Sequence, residues 1–157
     1  ERIDQRNLIA EMQQAGYRVV YDQTQLSQMK LGKNEKLLGL FNTSHLNYDL
    51  DRTKKNLPEP SLKQMTLAAL DILTQNKNGF FLMVEGGRID HALHDTNAKR
   101  ALQDTIALNE ALDATIKKLQ QSDPELKNTL IVITADHDHT LILNGYAKRT
   151  GKYVQGQ

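Results

Sequence analysis

The sequence predicts an α/β protein, a parallel-rich sheet with helices packed on both faces, forming a single domain over residues 1–157. Two observations lead there. Runs that are apolar without alternation, FFLMV at 80–84 and TLIVITA at 129–135, read as strands buried on both faces. Between such runs stand segments with helical apolar spacing. Strands alternating with amphipathic helices specify a parallel sheet, because each crossover helix must cover it. A chain of 157 residues is long enough to enclose one hydrophobic core.

The elements follow in order. Ile3, Leu8, Ile9 and Met12 recur at roughly helical spacing over 3–15, and Gly16 stands where a helix C-terminal cap belongs. YRVVY at 17–21 is rich in β-formers and predicts a strand. A short helical piece is expected around Gln25 to Met29, then a second buried strand, LLGLF, at 37–41. Asn42 to Pro60 is polar and reads as a loop closed by Pro58 and Pro60. Ser61 followed by Gln64 is a capping-box pattern, opening a helix whose inner face is Leu62, Met65, Ala69, Ile72 and Leu73. Gly79 ends that connection before the 80–84 strand. A long helix is predicted over about 97–120, with Leu102, Ile106, Leu112, Ile116 and Leu119 on one stripe. The 129–135 strand comes last.

Composition excludes several functions. Twenty basic residues against nineteen acidic ones leave a net charge of +1, so no electrostatic footprint calls for nucleic acid or an anionic membrane. The longest apolar runs, about five or six residues, are too short to cross a bilayer. Without cysteine there is no disulfide framework and no thiolate metal site; any metal must be held by Asp, Glu and His. The chain starts with Glu and carries no signal-peptide pattern, so a processed or excised piece of a longer protein is expected.

The polar residues cluster where such sheets keep their function, beyond the carboxyl ends of strands. Glu85 ends the 80–84 run, with Asp90, His91 and His94 just after it; Asp136, His137, Asp138 and His139 end the 129–135 run. Four of the five histidines therefore belong to two strand ends. If the strands are neighbours, the clusters meet. Asp90 and His94 share a helix face at a spacing of four and can grip one ion. Adjacent Asp136 and His137 suit a bend where both side chains turn to one side. Oxygen and imidazole donors without sulfur point to zinc or a similar ion, whereas Glu85, hard oxygen alone, suits magnesium. Plain alternatives stay open on spacing alone. Asp90 and His94 also fit a helix N-terminal charge and a surface histidine, Asp136 and His137 a capped turn, and Glu85 a pairing with Arg88. His139 and His91 also fit solvated side chains, His45 a loop histidine, Tyr48 a structural connection, and Lys117–Lys118 a solvated helix face.

VEGGRIDHALH at 84–94 and TADHDH at 134–139 closely resemble the alkaline phosphatase family, and the resemblance runs through LLGLF, PSLKQMTLAALDIL, GFFLMVEG and TLIVITADH, from about Gln13 to Tyr146. It implies a partial alkaline-phosphatase-like core within a larger domain. It implies hydrolysis of phosphate monoesters through a phosphoserine at a centre of two zinc ions and one magnesium. Asp90 and His94 resemble ligands of the first zinc, Asp136 and His137 two ligands of the second, and Glu85 the magnesium ligand. His139 resembles the histidine that supports a zinc-ligand carboxylate. His91 stands where members vary between lysine and histidine, touching phosphate through water or tuning the metal site. Arg88 is expected to be structural, since the family does not use that position to bind phosphate.

The departures matter as much. The family's nucleophile is a serine in an Asp-Ser-Ala context, and none of Ser27, Ser44, Ser61 and Ser122 follows an aspartate. The aspartate shared by zinc and magnesium, the magnesium hydroxyl ligand, the phosphate-binding arginine and the late zinc histidine have no counterpart either. The expectation is an internal piece with about half the metal ligands, little activity alone, and core surface left open to association. The resemblance further implies a periplasmic or extracellular setting and leaves room for a homodimer. A sulfatase or cofactor-independent phosphoglycerate mutase shares the metal logic without this motif pair, and a non-catalytic interaction module would leave the histidines pointing apart.

Overall fold

The computed structural model describes residues 3–30, 32 and 35–142; the end of the family resemblance at Tyr146 lies outside them. Among the described residues eight elements follow one another: α1 (Leu8–Gln14), β1 (Tyr17–Val20), α2 (Gln23–Gln28), β2 (Lys36–Gly39), α3 (Asp49–Lys54), α4 (Leu62–Leu73), α5 (Arg88–His94) and α6 (Ala98–Leu119). The α/β class and the parallel pairing are as expected: β1 and β2 run parallel, Tyr17 opposite Lys36 and Val20 opposite Gly39.

Local chemistry sets the ends of the elements. Helix α1 begins later than its apolar spacing suggests because the Asn7 side chain accepts from the Ala10 N–H at 3.1 Å, fixing the start at Leu8. Gly16 follows it at φ +86, the left-handed conformation predicted there. At α4 both arms of the capping box form, Gln64 N–H to Ser61 Oγ at 3.2 Å and Ser61 N–H to Gln64 Oε1 at 2.8 Å.

The sheet is narrower than predicted. Residues 80–84 and 129–135 run without ladder partners among the described residues. Phe81 (87%), Leu130 (88%) and Val132 (73%) stand exposed. A strand needs at least one hydrogen-bonded neighbour to join a sheet, and the described residues supply none for these two runs.

The 42–60 connection is also not all loop, since α3 lies within it. Leu50 is its one apolar side chain, so no periodicity announces it. It forms because α6 receives it. Asp49 N–H donates to Asp104 Oδ2 at 3.2 Å, Gln103 Nε2 donates to Asp49 Oδ2 at 3.0 Å, and Arg100 Nε donates to Asp51 Oδ2 at 2.9 Å. Buried Glu59 ties the rest of the connection, accepting from Asn47 N–H and Asn47 Nδ2, both at 2.9 Å.

Helix faces differ from the predicted stripes. On α6 the buried row is Ala101, Asp104, Ala107 and Ala111 with Leu119, whereas Leu102 is 64% exposed. Alanines let α4 and α5 approach α6 closely, and both pack on it. On α4 the buried residues are Thr66, Ala68 and Leu70, while Met65 of the predicted face packs beside the Val20–Leu26–Ala68 cluster at the sheet. Helix α4 is contacted from two sides, so a single stripe underestimates what it buries.

Asp104 is the one acidic group on α6's buried row, and burial pushes its carboxyl up to about 6. The folded protein then holds a proton that the unfolded chain releases near pH 4. This group favours folding most below about pH 4, and its contribution is lost as pH rises through 6. Asp104→Asn keeps an oxygen acceptor for the Asp49 N–H and removes the charge. At pH 8 the variant should be the more stable by about 1–2 kcal/mol, with the gap closing toward pH 4. Melting curves from pH 4 to 8 check this; parallel curves for the two proteins would contradict it.

Candidate metal centre

Two segments build the site. The first is the extended run ending at Glu85, which passes through Gly86 and Gly87 into α5. Gly86 has no room for a side chain larger than hydrogen without adjustment, since a Cβ would lie 3.1 Å from Ile89 Cδ1 and 3.4 Å from Leu108 Cδ2. That close approach seats α5 against α6. Asp90 and His94 lie one turn apart on α5, with His94 Nε2 3.4 Å from Asp90 Oδ1. The second segment starts at a turn knotted by Asp123, whose carboxylate accepts from Lys127 N–H (3.0 Å), Asn128 N–H (2.9 Å) and Thr129 Oγ1 (2.9 Å). It runs extended to Asp136 and His137.

The two clusters converge on one atom, Asp90 Oδ1. His139 Nε2 lies 2.7 Å from it, His94 Nε2 3.4 Å and His137 Nε2 3.6 Å. His137 Nε2 is also 3.6 Å from Asp136 Oδ2. The imidazoles touch edge to face, His94 against His139 at 4.7 Å between centroids. Asp90, His137 and His139 each offer a donor atom within 4.8 Å of the others.

Proton positions sort these donors. A carboxylate only accepts, so in the 2.7 Å contact His139 Nε2–H donates to Asp90. That nitrogen has no lone pair left for a cation, and His139 orients the carboxylate instead. A carbonyl likewise only accepts, so His137 Nδ1–H donates to Asp138 O at 2.9 Å, leaving a neutral ring with its lone pair on Nε2. His94 Nε2 then faces Asp90 Oδ1 at 3.4 Å, and His137 Nε2 faces Asp136 Oδ2 at 3.6 Å, as two pairs of donors. Those separations match donors sharing a tetrahedral zinc, which bonds of about 2.0–2.1 Å hold about 3.4 Å apart. The donor set therefore fits a divalent cation.

Electrostatics point the same way. The His139 hydrogen bond, helped by the surrounding imidazoles, holds the Asp90 carboxyl below its ordinary range. The Asp138 carbonyl bond and then the Asp136 carboxylate raise His137 above its own. A cation arriving at His137 must displace any proton on Nε2, so its binding strengthens as pH rises.

The remaining expected site residues are placed as follows. Asp136 adjoins His137, with its side chain 87% exposed. Glu85 lines the same open cleft of about 1010 Å³ as Asp90, Asp136 and His137. No hydrogen bond or ion pair joins Glu85 to Arg88 among the described residues. Arg88 instead donates from Nη1 to His91 Nδ1 at 2.6 Å and stacks on the Tyr48 ring 3.8 Å from its centroid. His91 thus turns to Arg88 rather than to Asp90. His45, expected to be a loop histidine without a partner, packs edge-on to His91 at 4.4 Å and lines the cleft. Nothing in its spacing could have revealed this, because the contact spans the whole of α3 and α4.

Comparison with known proteins agrees on one family. The family model described as alkaline phosphatase matches residues 1–157. The chain is 39% identical over 154 residues to a membrane-bound alkaline phosphatase of Bombyx mori, covering 94% of this chain and 27% of that protein. It is 43% identical over 132 residues to alkaline phosphatase 4 of Bacillus subtilis (strain 168), covering 84% and 26%. Its fold superposes on the crystal structure of Thermus thermophilus alkaline phosphatase with a TM-score of 0.71 at 38% identity, over 77% of this chain and 25% of that one. The chain thus spans about a quarter of the length of these relatives. With the motifs at 84–94 and 134–139 at its cleft, this chain belongs to the alkaline phosphatase family.

Proposed function

We propose that the chain is part of a metal-dependent phosphatase that hydrolyses phosphate monoesters, and that it supplies about half the ligands of a centre of two zinc ions and one magnesium. Asp90 and His94 hold one zinc, Asp136 and His137 contribute to the second, and Glu85 serves magnesium. His139 orients Asp90, and His91 stands near the phosphate. The observation that carries this reading is the meeting of His94 and His137 at Asp90 Oδ1, at 3.4 and 3.6 Å. When bound, the cations supply positive charge to the oxygens that enter and leave a transferred phosphoryl group.

The chain's own residues fix where that charge sits. His139 pins one carboxylate rotamer, the Asp138 carbonyl fixes the His137 tautomer, and α5 presents Asp90 and His94 from one turn. The nucleophilic serine lies elsewhere in the parent polypeptide on this reading, as none of the four serines here follows an aspartate. No helix among the described residues is long and apolar enough to cross a membrane. A setting outside the cytoplasm and a homodimeric parent complete the proposal.

An aryl phosphate assay with zinc and magnesium tests the division of labour. The isolated chain should bind zinc, by metal analysis after dialysis, yet turn over little or no substrate. Turnover near that of a complete alkaline phosphatase would contradict the proposed missing nucleophile, and a metal-free dialysate would contradict the centre.

A further inference from the structure

Arg88 does something the motif does not explain. Its guanidinium is always protonated and has no acceptor, so in the 2.6 Å contact with His91 the ring nitrogen Nδ1 must be the acceptor. A neutral His91 therefore carries its one proton on Nε2. The guanidinium is itself held. It lies 3.8 Å over the ring of Tyr48, and that ring is buried, with its hydroxyl donating to Asp95 Oδ2 at 3.1 Å. A second guanidinium, Arg100, lies 4.9 Å from the same ring and is anchored to Asp51 at 2.9 Å. The His45 ring packs edge-on to His91 at 4.4 Å between centroids. Arg88 Nε is buried without a hydrogen-bond acceptor among the described residues. His91 lines the same cleft as Glu85, Asp90 and Asp136.

We infer that Arg88 is a positioning residue: braced on Tyr48, it locks His91 in the Nε2–H tautomer, so that the cleft receives a fixed hydrogen-bond donor for an anionic phosphoryl oxygen. The anion part rests on the phosphatase reading; the tautomer part does not. The edge-on contact with His45 adds to what holds the ring. A lysine in place of Arg88 would keep the charge but lose the planar fork that stacks on Tyr48 and reaches Nδ1 together.

Long-range proton–nitrogen NMR correlations on the nitrogen-labelled chain read the tautomer directly, with His91→Gln identifying the signal. The wild-type chain should show His91 as the Nε2–H form alone, and Arg88→Lys should show a mixture. An Nδ1–H form or a mixture in the wild type would overturn the inference even if the variant fails to fold, as would an unchanged pattern in a folded Arg88→Lys. Inorganic phosphate titrated into the zinc-loaded chain should then move the His91 Nε2 signal, with apparent affinity about tenfold weaker in Arg88→Lys. Phosphate that moves other cleft residues but not His91 would overturn the donor role. No movement anywhere in the cleft would overturn the phosphatase reading instead, while the tautomer result would still decide whether Arg88 holds the ring.

Discussion

Asp90→Asn is expected to weaken zinc binding by about 100-fold or more, read by calorimetry, while the metal-free variant melts within a few degrees of the parent. The asparagine oxygen can still accept from His139 Nε2–H, now 2.7 Å from Asp90 Oδ1, so the local fold keeps its anchor. What disappears is the negative charge at the atom nearest His94, His137 and His139. Loss of a charged ligand from a set this small removes most of the attraction for a divalent ion. The comparison is His139→Gln, which disturbs only the orientation of the carboxylate and should cost about 10- to 100-fold. Unchanged affinity in Asp90→Asn would mean that the converging side chains are a polar cluster and not a cation site.

Leu70→Ala should cost about 3 kcal/mol of folding stability, within a range of about 2–5, by urea denaturation. Leu70 is 1% exposed on α4, a helix that packs on α6. Removing three heavy atoms there leaves a cavity that two helices cannot easily collapse to fill. Leu102→Ala is the matched control. Its side chain is 64% exposed on α6, although its position in the sequence reads as core, and its loss should stay within about 0.5–1 kcal/mol. Equal losses at the two positions would mean that the buried face of α6 is the leucine stripe after all.

That contrast shows where the sequence is legible and where it is not. The capping box at Ser61 and Gln64 and the glycine after α1 are local hydrogen-bond chemistry, and both form as the residues predict. Asp90, His94, His137 and His139 do meet in space, but the runs that carry them form no ladder among the described residues, so the strand-end argument alone does not place them. The interaction-module alternative required these side chains to point apart, and they converge. Helix faces were harder. Alanine carries little hydrophobic signal, yet Ala101, Ala107 and Ala111 form the buried row because close helix approach favours small side chains. Helix α3 depends on partners on α6 some fifty residues away, and no local pattern encodes such contacts. The strands at 80–84 and 129–135 were read from apolar runs, but a ladder needs neighbours, and the described residues provide none. The His45–His91–Arg88–Tyr48 contacts are likewise tertiary, joining two separate segments.

Anomalous diffraction at the zinc absorption edge, from crystals of the zinc-loaded chain, locates the ions without reference to any relative. One expected peak lies about 2.0–2.1 Å from an Asp90 carboxylate oxygen and from His94 Nε2, and a second lies at the same distance from Asp136 and His137 Nε2. Peaks bound away from both pairs, or a cleft without anomalous density in a protein that carries zinc elsewhere, would contradict the assembly of a cation site from these two chain segments.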